Sequence, residues 1–534
     1  MELTAPNQVS GWGNEVVVEE VLGRPCRVFA ERPGHLRELV ALGARYGDRT
    51  HLIQGGQRLS FGELARSVDR VAEVLRAAGA RPGDRVMLAG ANSLAWVVTF
   101  WTCLCNDWVL IPANAWWSAE EVEYAARLVD ARLAVVDARR RDRMPPGMTC
   151  VELAALPLDA TGPATGAGAG AGAGTEDDPA MVLFTSGTTS FPRGAVLSHR
   201  GLLANLQNLL AIARRLPGPD ESTRPPGITL MTMPLFHIGG IQQLFTALVS
   251  GGTLVFLDGR FSARQVLGLI ETERITGWAA VPTMLSRVLD LLESDPSGYD
   301  VTTLRTMVIG GSPVAESLRA RARVVFPSTR RGLGASYGLT EISGVAATEA
   351  GPAVAERPGT VGRPLPTVEV RIEAPDRTGV GEVLLRTPGA MIGYWGAPED
   401  PVFTPDRWLR TGDLGRLDDE GYLYIEGRVK DVVIRGGENI ATARVEDRLL
   451  AHPEVAEVAV VGLPHPELGE ELGAVVVRHP GAAVDPAGLA AFAAGTLAYF
   501  AVPTRWWFLD ELPKNATGKV LKRQLVESWP LVRN

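Results

Sequence analysis

Helix-like and strand-like segments alternate along the first part of the chain, and this alternation limits the folds open to it. Phe61 to Ala78 places Leu64, Val68, Val71 and Leu75 at helical spacing among charged residues. The turn Arg81-Pro82-Gly83-Asp84 follows, then a strand at Arg85 to Ala89. Leu94 to Cys105 reads as a buried helix, Trp108 to Ile111 as a strand, Ala119 to Val129 as a helix and Leu133 to Val136 as a strand. Such repetition predicts layered α/β sheets with many parallel strands. A second α/β stretch is expected from Met181 to about Ala335. A β-rich subdomain follows it, with short strands at Val368–Ile372, Glu382–Arg386 and Tyr422–Glu426. The tail reads as a small α+β unit: helix Ala443–Leu450, strands Val455–Val461 and Gly473–Val477, helix Ala487–Thr496. With 534 residues, more than one domain is expected, and the boundary falls at Lys430: residues 1–429, then a small, mobile domain of residues 430–534.

Composition removes several classes. A net charge of -8 argues against nucleic acid as the main partner. The most apolar stretch, Leu94 to Pro112, is broken by Asn106 and Asp107 and is too short to span a bilayer. Met1 to Glu20 lacks the basic head and apolar segment of a signal peptide. Cys26, Cys103, Cys105 and Cys150 form neither a disulfide framework nor a zinc pattern, so a cytoplasmic protein is expected. The Ala/Gly-rich run Gly162 to Gly174 reads as a surface connection without chemistry.

The segment Leu183-Phe184-Thr185-Ser186-Gly187-Thr188-Thr189-Ser190-Phe191-Pro192-Arg193-Gly194-Ala195 carries the most chemical information. A strand runs into hydroxyls, glycines and one cation, then into another strand. Glycine lets backbone N–H groups crowd together, hydroxyls donate further bonds, and the cation adds charge, as a phosphate chain requires. The spacing differs from the Gly-Lys-Ser/Thr loop that opens a helix. Taken alone, the segment could equally be a polar hairpin turn.

Read with five further segments, it resembles the phosphate signature of the adenylate-forming superfamily, closest to its acyl-CoA synthetases. The others are Pro234-Leu235-Phe236-His237, Tyr337-Gly338-Leu339-Thr340-Glu341, Arg410-Thr411-Gly412-Asp413, Gly427-Arg428-Val429-Lys430-Asp431 with Gly436-Gly437-Glu438-Asn439, and Pro513-Lys514-Asn515-Ala516-Thr517-Gly518-Lys519. They follow in that family's order, and the similarity runs from about Leu36 to Leu525.

The resemblance implies an acid–thiol ligase that makes an acyl-adenylate from ATP with Mg2+ and then a thioester with CoA. Alternatives are transfer to a carrier-protein phosphopantetheine and a non-catalytic nucleotide-binding relative; intact Lys519, Glu341 and Asp413 argue against the latter. It implies that Thr185, Ser186, Gly187, Thr188, Thr189 and Arg193 hold phosphates, with Arg193 replacing the usual Lys and Ser190 the usual Gly. Gly311, Ser312, Ser336, Tyr337 and Gly338 would flank adenine, Thr340 would meet phosphate, and Asp413 and Arg428 would hold the ribose. Glu341 would bind Mg2+. Lys519 would reach the carboxylate and α-phosphate, Lys430 would be the hinge, and Gly436, Gly437 and Glu438 would line the thiol path. Ala441 to Glu446 lacks the usual Pro and first Glu, and His465 stands where Asp is frequent. His237, Gly239, Gly240, Gly310 and Ala335 would form an acyl pocket, roomy and apolar, for an aryl, polycyclic or medium-to-long acid. His237 replaces an Asp that amino-acid-activating relatives use, which argues against an α-amino acid.

Overall fold

Ser60 starts the first long helix, Phe61–Ala77, through a capping box: its side chain accepts from Glu63 N, and the Glu63 carboxylate accepts from Ser60 N. Ser93 caps Leu94–Cys105 with its side chain alone, accepting from Trp96 N, and all 12 residues of that helix are buried. A helix apolar on every side has no solvent face and must lie between layers. The computed structural model that shows these contacts describes residues 11–158, 174–185, 192–218, 225–295, 298–309, 316–329, 332–397, 401–436, 438–514 and 520–530. The connection expected at 162–174 falls almost wholly outside them.

Two large sheets form the bulk of the chain. The first has seven strands in the order Gly393–Tyr394, Arg193–Ser198, Pro179–Thr185, Val109–Pro112, Arg85–Ala89, Leu133–Val136 and Thr149–Glu152. Its last five strands are parallel, and the hairpin Pro179–Thr185/Arg193–Ser198 is antiparallel, with Arg193 opposite Thr185. The second sheet has 13 strands. Its parallel part includes Ile228–Met231, Gly277–Ala280, Thr306–Ile309 and Leu333–Leu339. The β-rich stretch is not set apart. Thr360–Pro364 pairs with Gly344–Ala350 on one side and Leu423–Arg428 on the other, so the antiparallel strands extend this sheet. An N-terminal hairpin, Val16–Glu20 with Pro25–Phe29, is an addition to the expected elements.

The tail forms a third sheet of five strands, with Gly469–Arg478 between Val455–His465 and Arg505–Phe508, covered by helices Thr442–Leu450 and Pro486–Ala494. It has its own apolar cluster, including Val445, Leu449, Val460, Leu472 and Leu489. Lys430 lies in the short turn Val429–Asp431, between the last strand of the second sheet and Val432–Arg435 of the third. No helix among the described residues is long and apolar enough to cross a membrane.

Candidate functional site

The ends of the second-sheet strands and the tail unit enclose an open cleft of about 3810 Å³. Its wall includes His237, Gly239, Ala335, Ser336, Tyr337, Gly338, Thr340, Asp413, Arg428 and Lys430, brought together from distant parts of the sequence.

Tyr337 stands near the end of Leu333–Leu339, where the pairing register shifts between Tyr337 and Gly338. Gly338 permits that bulge, because a Cβ there would lie 2.1 Å from the Gly344 carbonyl oxygen. The Tyr337 hydroxyl donates to Asp413 Oδ2 at 2.6 Å, and Arg428 Nε meets Asp413 Oδ1 at 2.8 Å. Asp413 and Arg428 are cross-strand partners, which fixes their pairing. Burial, then the Asp413 charge, pushes the Tyr337 phenol well above its ordinary pKa. The phenol therefore stays a neutral donor, aimed at a carboxylate that is 3% exposed. Lys430, on the same wall, has its pKa lowered first by desolvation and then by Arg428, with Arg193 a smaller cause.

The hairpin cation and the expected metal ligand meet behind this wall. Arg193 Nη2 donates to the Tyr394 hydroxyl at 3.0 Å, and that hydroxyl donates to Glu341 Oε1 at 2.8 Å. Glu341 Oε2 has no protein hydrogen bond among the described residues. A carboxylate oxygen left without a protein partner suits Mg2+, a hard cation that takes few protein ligands and keeps waters and phosphate oxygens. Thr185 Oγ1 reaches the Arg193 carbonyl only at 3.5 Å. Thr185, Arg193 and Glu341 do not themselves line the described cleft wall. Ser186, Gly187, Thr188, Thr189, Gly310, Gly311, Ser312, Gly437 and Lys519 lie outside the described residues.

His237 precedes the helix Ile238–Val249 and packs against Phe236, ring centroids 4.5 Å apart. Burial lowers its pKa to about 4, so the ring is neutral near pH 7. Among the described residues its buried Nε2 has no hydrogen-bond partner, and neither has the buried Oε1 of Gln243, on the helix that follows and in the same cleft. The wall is therefore mixed there: these two polar atoms stand among the small residues expected to line a roomy, apolar pocket. Gly240 is corrected. A Cβ there would lie 2.5 Å from the Pro234 carbonyl oxygen, so this glycine serves a close backbone approach and is absent from the wall.

On the tail side, Lys514 and Val520 pair as a β-bridge, and both line the cleft. Lys514 is held by Glu457 at 2.6 Å and Lys522 by Glu446 at 2.7 Å. Gly436 and Glu438, expected on the thiol path, are not on the cleft wall. Gly436, at φ +59°, instead turns its N–H onto the Leu468 carbonyl within the tail. The arrangement thus presents the flanks of 515–519 to the cleft and leaves the Gly436 turn away from it.

A second titratable cluster, His35, Asp107 and His199, lies off the cleft. Arg37 binds Asp107 at 2.8 Å, and the two imidazole rings lie 3.6 Å apart. The guanidinium already neutralises the carboxylate, so the cluster reads as packing and ion pairing.

Sequence reasoning missed Tyr394 and Gln243. The only local signal for Tyr394 was an aromatic pair, Tyr394-Trp395, after a glycine. Nothing near Gln243 distinguished it from an ordinary helix residue.

Residues 40–395 match the family described as AMP-binding enzyme, and residues 444–519 match the AMP-binding enzyme C-terminal domain. A fatty acid–[acyl-carrier-protein] ligase, ScoC, of Streptomyces coeruleorubidus is 36% identical over 88% of this chain and 91% of its own length. A feruloyl-CoA synthase of an Amycolatopsis species is 33% identical over 89% of this chain and 95% of its own. The solved structure of o-succinylbenzoate CoA synthetase from Bacillus subtilis, in complex with the acyl-adenylate intermediate OSB-AMP, superposes with a TM-score of 0.79 at 28% identity. It covers 91% of this chain and 97% of that one.

Proposed function

The chain belongs to the AMP-binding enzyme family, and from that premise we propose that it activates a carboxylic acid as an acyl-adenylate and transfers the acyl group to the thiol of coenzyme A. The observation that carries this reading is the convergence of Tyr337, Asp413, Arg428 and Lys430 on the same cleft as His237.

In the first half-reaction a carboxylate oxygen attacks the α-phosphorus of ATP. The bond to the β-phosphate bridging oxygen breaks, and pyrophosphate leaves. The barrier comes from the approach of two anions and from leaving-group charge, so position and positive potential are what the protein supplies. Asp413, held by Tyr337 and Arg428, accepts from the ribose hydroxyls with its remaining lone pairs. The Tyr337 ring offers a face to adenine. Arg193 and the hydroxyls of residues 185–189 bind the β- and γ-phosphates, and Thr340 reaches them from the turn Thr340–Ile342. Magnesium held at Glu341 neutralises phosphate charge when bound. Neutral His237 tolerates an apolar acyl group beside the carboxylate and offers no charge to an α-ammonium. Lys519 brings an ammonium to the carboxylate and α-phosphate from the tail. In the second half-reaction a thiol sulfur attacks the acyl carbon, AMP leaves with the bonding pair, and the thiol proton passes to solvent. The tail pivots at Lys430 between the two, bringing the Gly436–Glu438 turn to the cleft.

A second acceptor is favoured by one observation: the relative at 36% identity is named for transfer to an acyl carrier protein. A carrier's phosphopantetheine ends in the same thiol, so the adenylation chemistry is unchanged.

The test is pyrophosphate release from ATP over a panel of aryl, polycyclic and medium-to-long acyl acids, followed by thioester formation with CoA and with a holo carrier protein. Acid-dependent release that falls by roughly a hundredfold or more in Lys519→Ala supports adenylation, in the range lost when one transition-state donor is removed. Release with no acid on the panel would refute it. Thioester formed only on the carrier would replace CoA as the acceptor.

A further inference from the structure

We infer that Tyr394 is a positioning residue that joins the phosphate-binding cation Arg193 to the metal ligand Glu341, so that both meet the triphosphate at a fixed separation. The inference rests on the reading of those two residues given above and adds a third that motif comparison did not supply.

The three come from separate strands and turns. Gly393–Tyr394 pairs antiparallel with Arg193–Ser198, with Tyr394 opposite Ala195, and Trp395 N donates to the Gly194 carbonyl at 2.8 Å. Three residues before Tyr394, Met391 N donates to the Glu341 carbonyl at 2.8 Å. One short segment therefore ties the base of the phosphate hairpin to the Glu341 turn through the backbone. The Tyr394 side chain, 5% exposed, repeats the tie. The Arg193 guanidinium carbon lies 3.8 Å from the ring centroid, and the hydroxyl bridges Arg193 and Glu341 at 3.0 and 2.8 Å.

The chemistry fixes the proton. Arginine has no acceptor and an ionised carboxylate has no donor, so the phenol must accept from Arg193 and donate to Glu341. A hydroxyl polarised from both sides makes stronger bonds than either alone. A direct pair between Arg193 and Glu341 would act differently. A guanidinium fork engages both carboxylate oxygens, which would consume the metal ligand and turn the cation away from phosphate. The phenol between them engages Oε1 alone and leaves Oε2 without a protein partner among the described residues.

The test titrates magnesium into the enzyme–ATP complex without acid, reading bound metal by calorimetry, and repeats the titration at saturating acid, reading pyrophosphate release. Tyr394→Phe keeps the ring and its packing and removes only the bridge. The expected result is a magnesium midpoint raised about tenfold and a lowered kcat, with KM for the acid within about twofold of wild type. In a double-mutant cycle, Tyr394→Phe added to Arg193→Ala is expected to cost no more than about a further twofold, because the pair acts as a unit. Arg193→Ala alone, which keeps the tyrosine, is expected to shift the same midpoint about tenfold, and this arm stands even if the phenylalanine variant does not fold. A wild-type midpoint in Tyr394→Phe, or fully additive costs, would overturn the coupling. A wild-type midpoint in Glu341→Gln would instead overturn the assignment of Glu341 as the metal ligand, and the proposal with it.

Discussion

On the proposed nucleotide side of the cleft, Asp413 has one oxygen bound by Tyr337 and the other by Arg428. On the proposed acyl side, His237 Nε2 and Gln243 Oε1 are buried with no protein partner among the described residues. A buried polar atom left unpaired costs free energy, so a fold keeps one only where something else satisfies it. The difference separates two kinds of binding. The nucleotide side is preorganised by the protein itself and needs no ligand to be complete. The proposed acyl side leaves polar atoms for its ligand or for water, and there the proposed function has the acid recognised.

Breaking the preorganised side should have the largest effect. Asp413→Asn keeps the shape but turns an amide toward the Tyr337 hydroxyl and deprives Arg428 of its counter-charge. The expected outcome is kcat/KM for ATP lower by about a hundredfold, consistent with roughly 1.5–3 kcal/mol for a hydrogen bond to a charged group, with KM for the acid little changed. Steady-state kinetics with each substrate varied in turn checks it. Equal losses toward both substrates would remove the distinction between the two sides.

The acyl side should respond with a change of preference. Gln243→Leu removes an acceptor that a polar acid can satisfy and a plain alkyl or aryl acid cannot. The ratio of kcat/KM between a hydroxylated acid and its unsubstituted counterpart is expected to fall about tenfold. An unchanged ratio over the panel would place the acyl group elsewhere along the wall.

The smallest effect is on stability. His51 and His237 are lowered to about 4 and His199 to about 3, in each case first by burial. Folded, these rings stay neutral where the unfolded chain, at about 6.5, binds protons. Between about pH 4 and 6.5 the unfolded state therefore holds more protons, and stability rises with pH across that window. Asp447, raised to about 6, and Glu446, raised first by burial, work in the opposite direction over part of it, against these three rings and His35, which burial also lowers. Chemical denaturation at stepped pH checks the sign, and stability falling from pH 4 to 6.5 would contradict it.

Local signals explain what the sequence made legible. Leu94–Cys105 could be read to the residue because Ser93 caps it and apolar residues fill it. Arg85–Ala89 and Leu133–Val136 were equally plain, since parallel strands buried on both faces are short apolar runs between turns. Tyr337 and Asp413 were visible only through resemblance, and their hydrogen bond spans 76 positions. Tyr394 was invisible for the same physical reason: its partners lie 201 and 53 positions away, joined by sheet register rather than by spacing. Gly240 was misread because a glycine required for backbone approach and one that opens a pocket look alike until the neighbouring carbonyl is located.

The most direct measurement is a crystal structure of the protein with a non-hydrolysable acyl-adenylate analogue. Adenine should lie against Tyr337, the ribose diol on Asp413, and the acyl group should run past His237 toward Gln243. A nucleotide bound away from Asp413, or an acyl group leaving the cleft without meeting His237, would contradict the assignment.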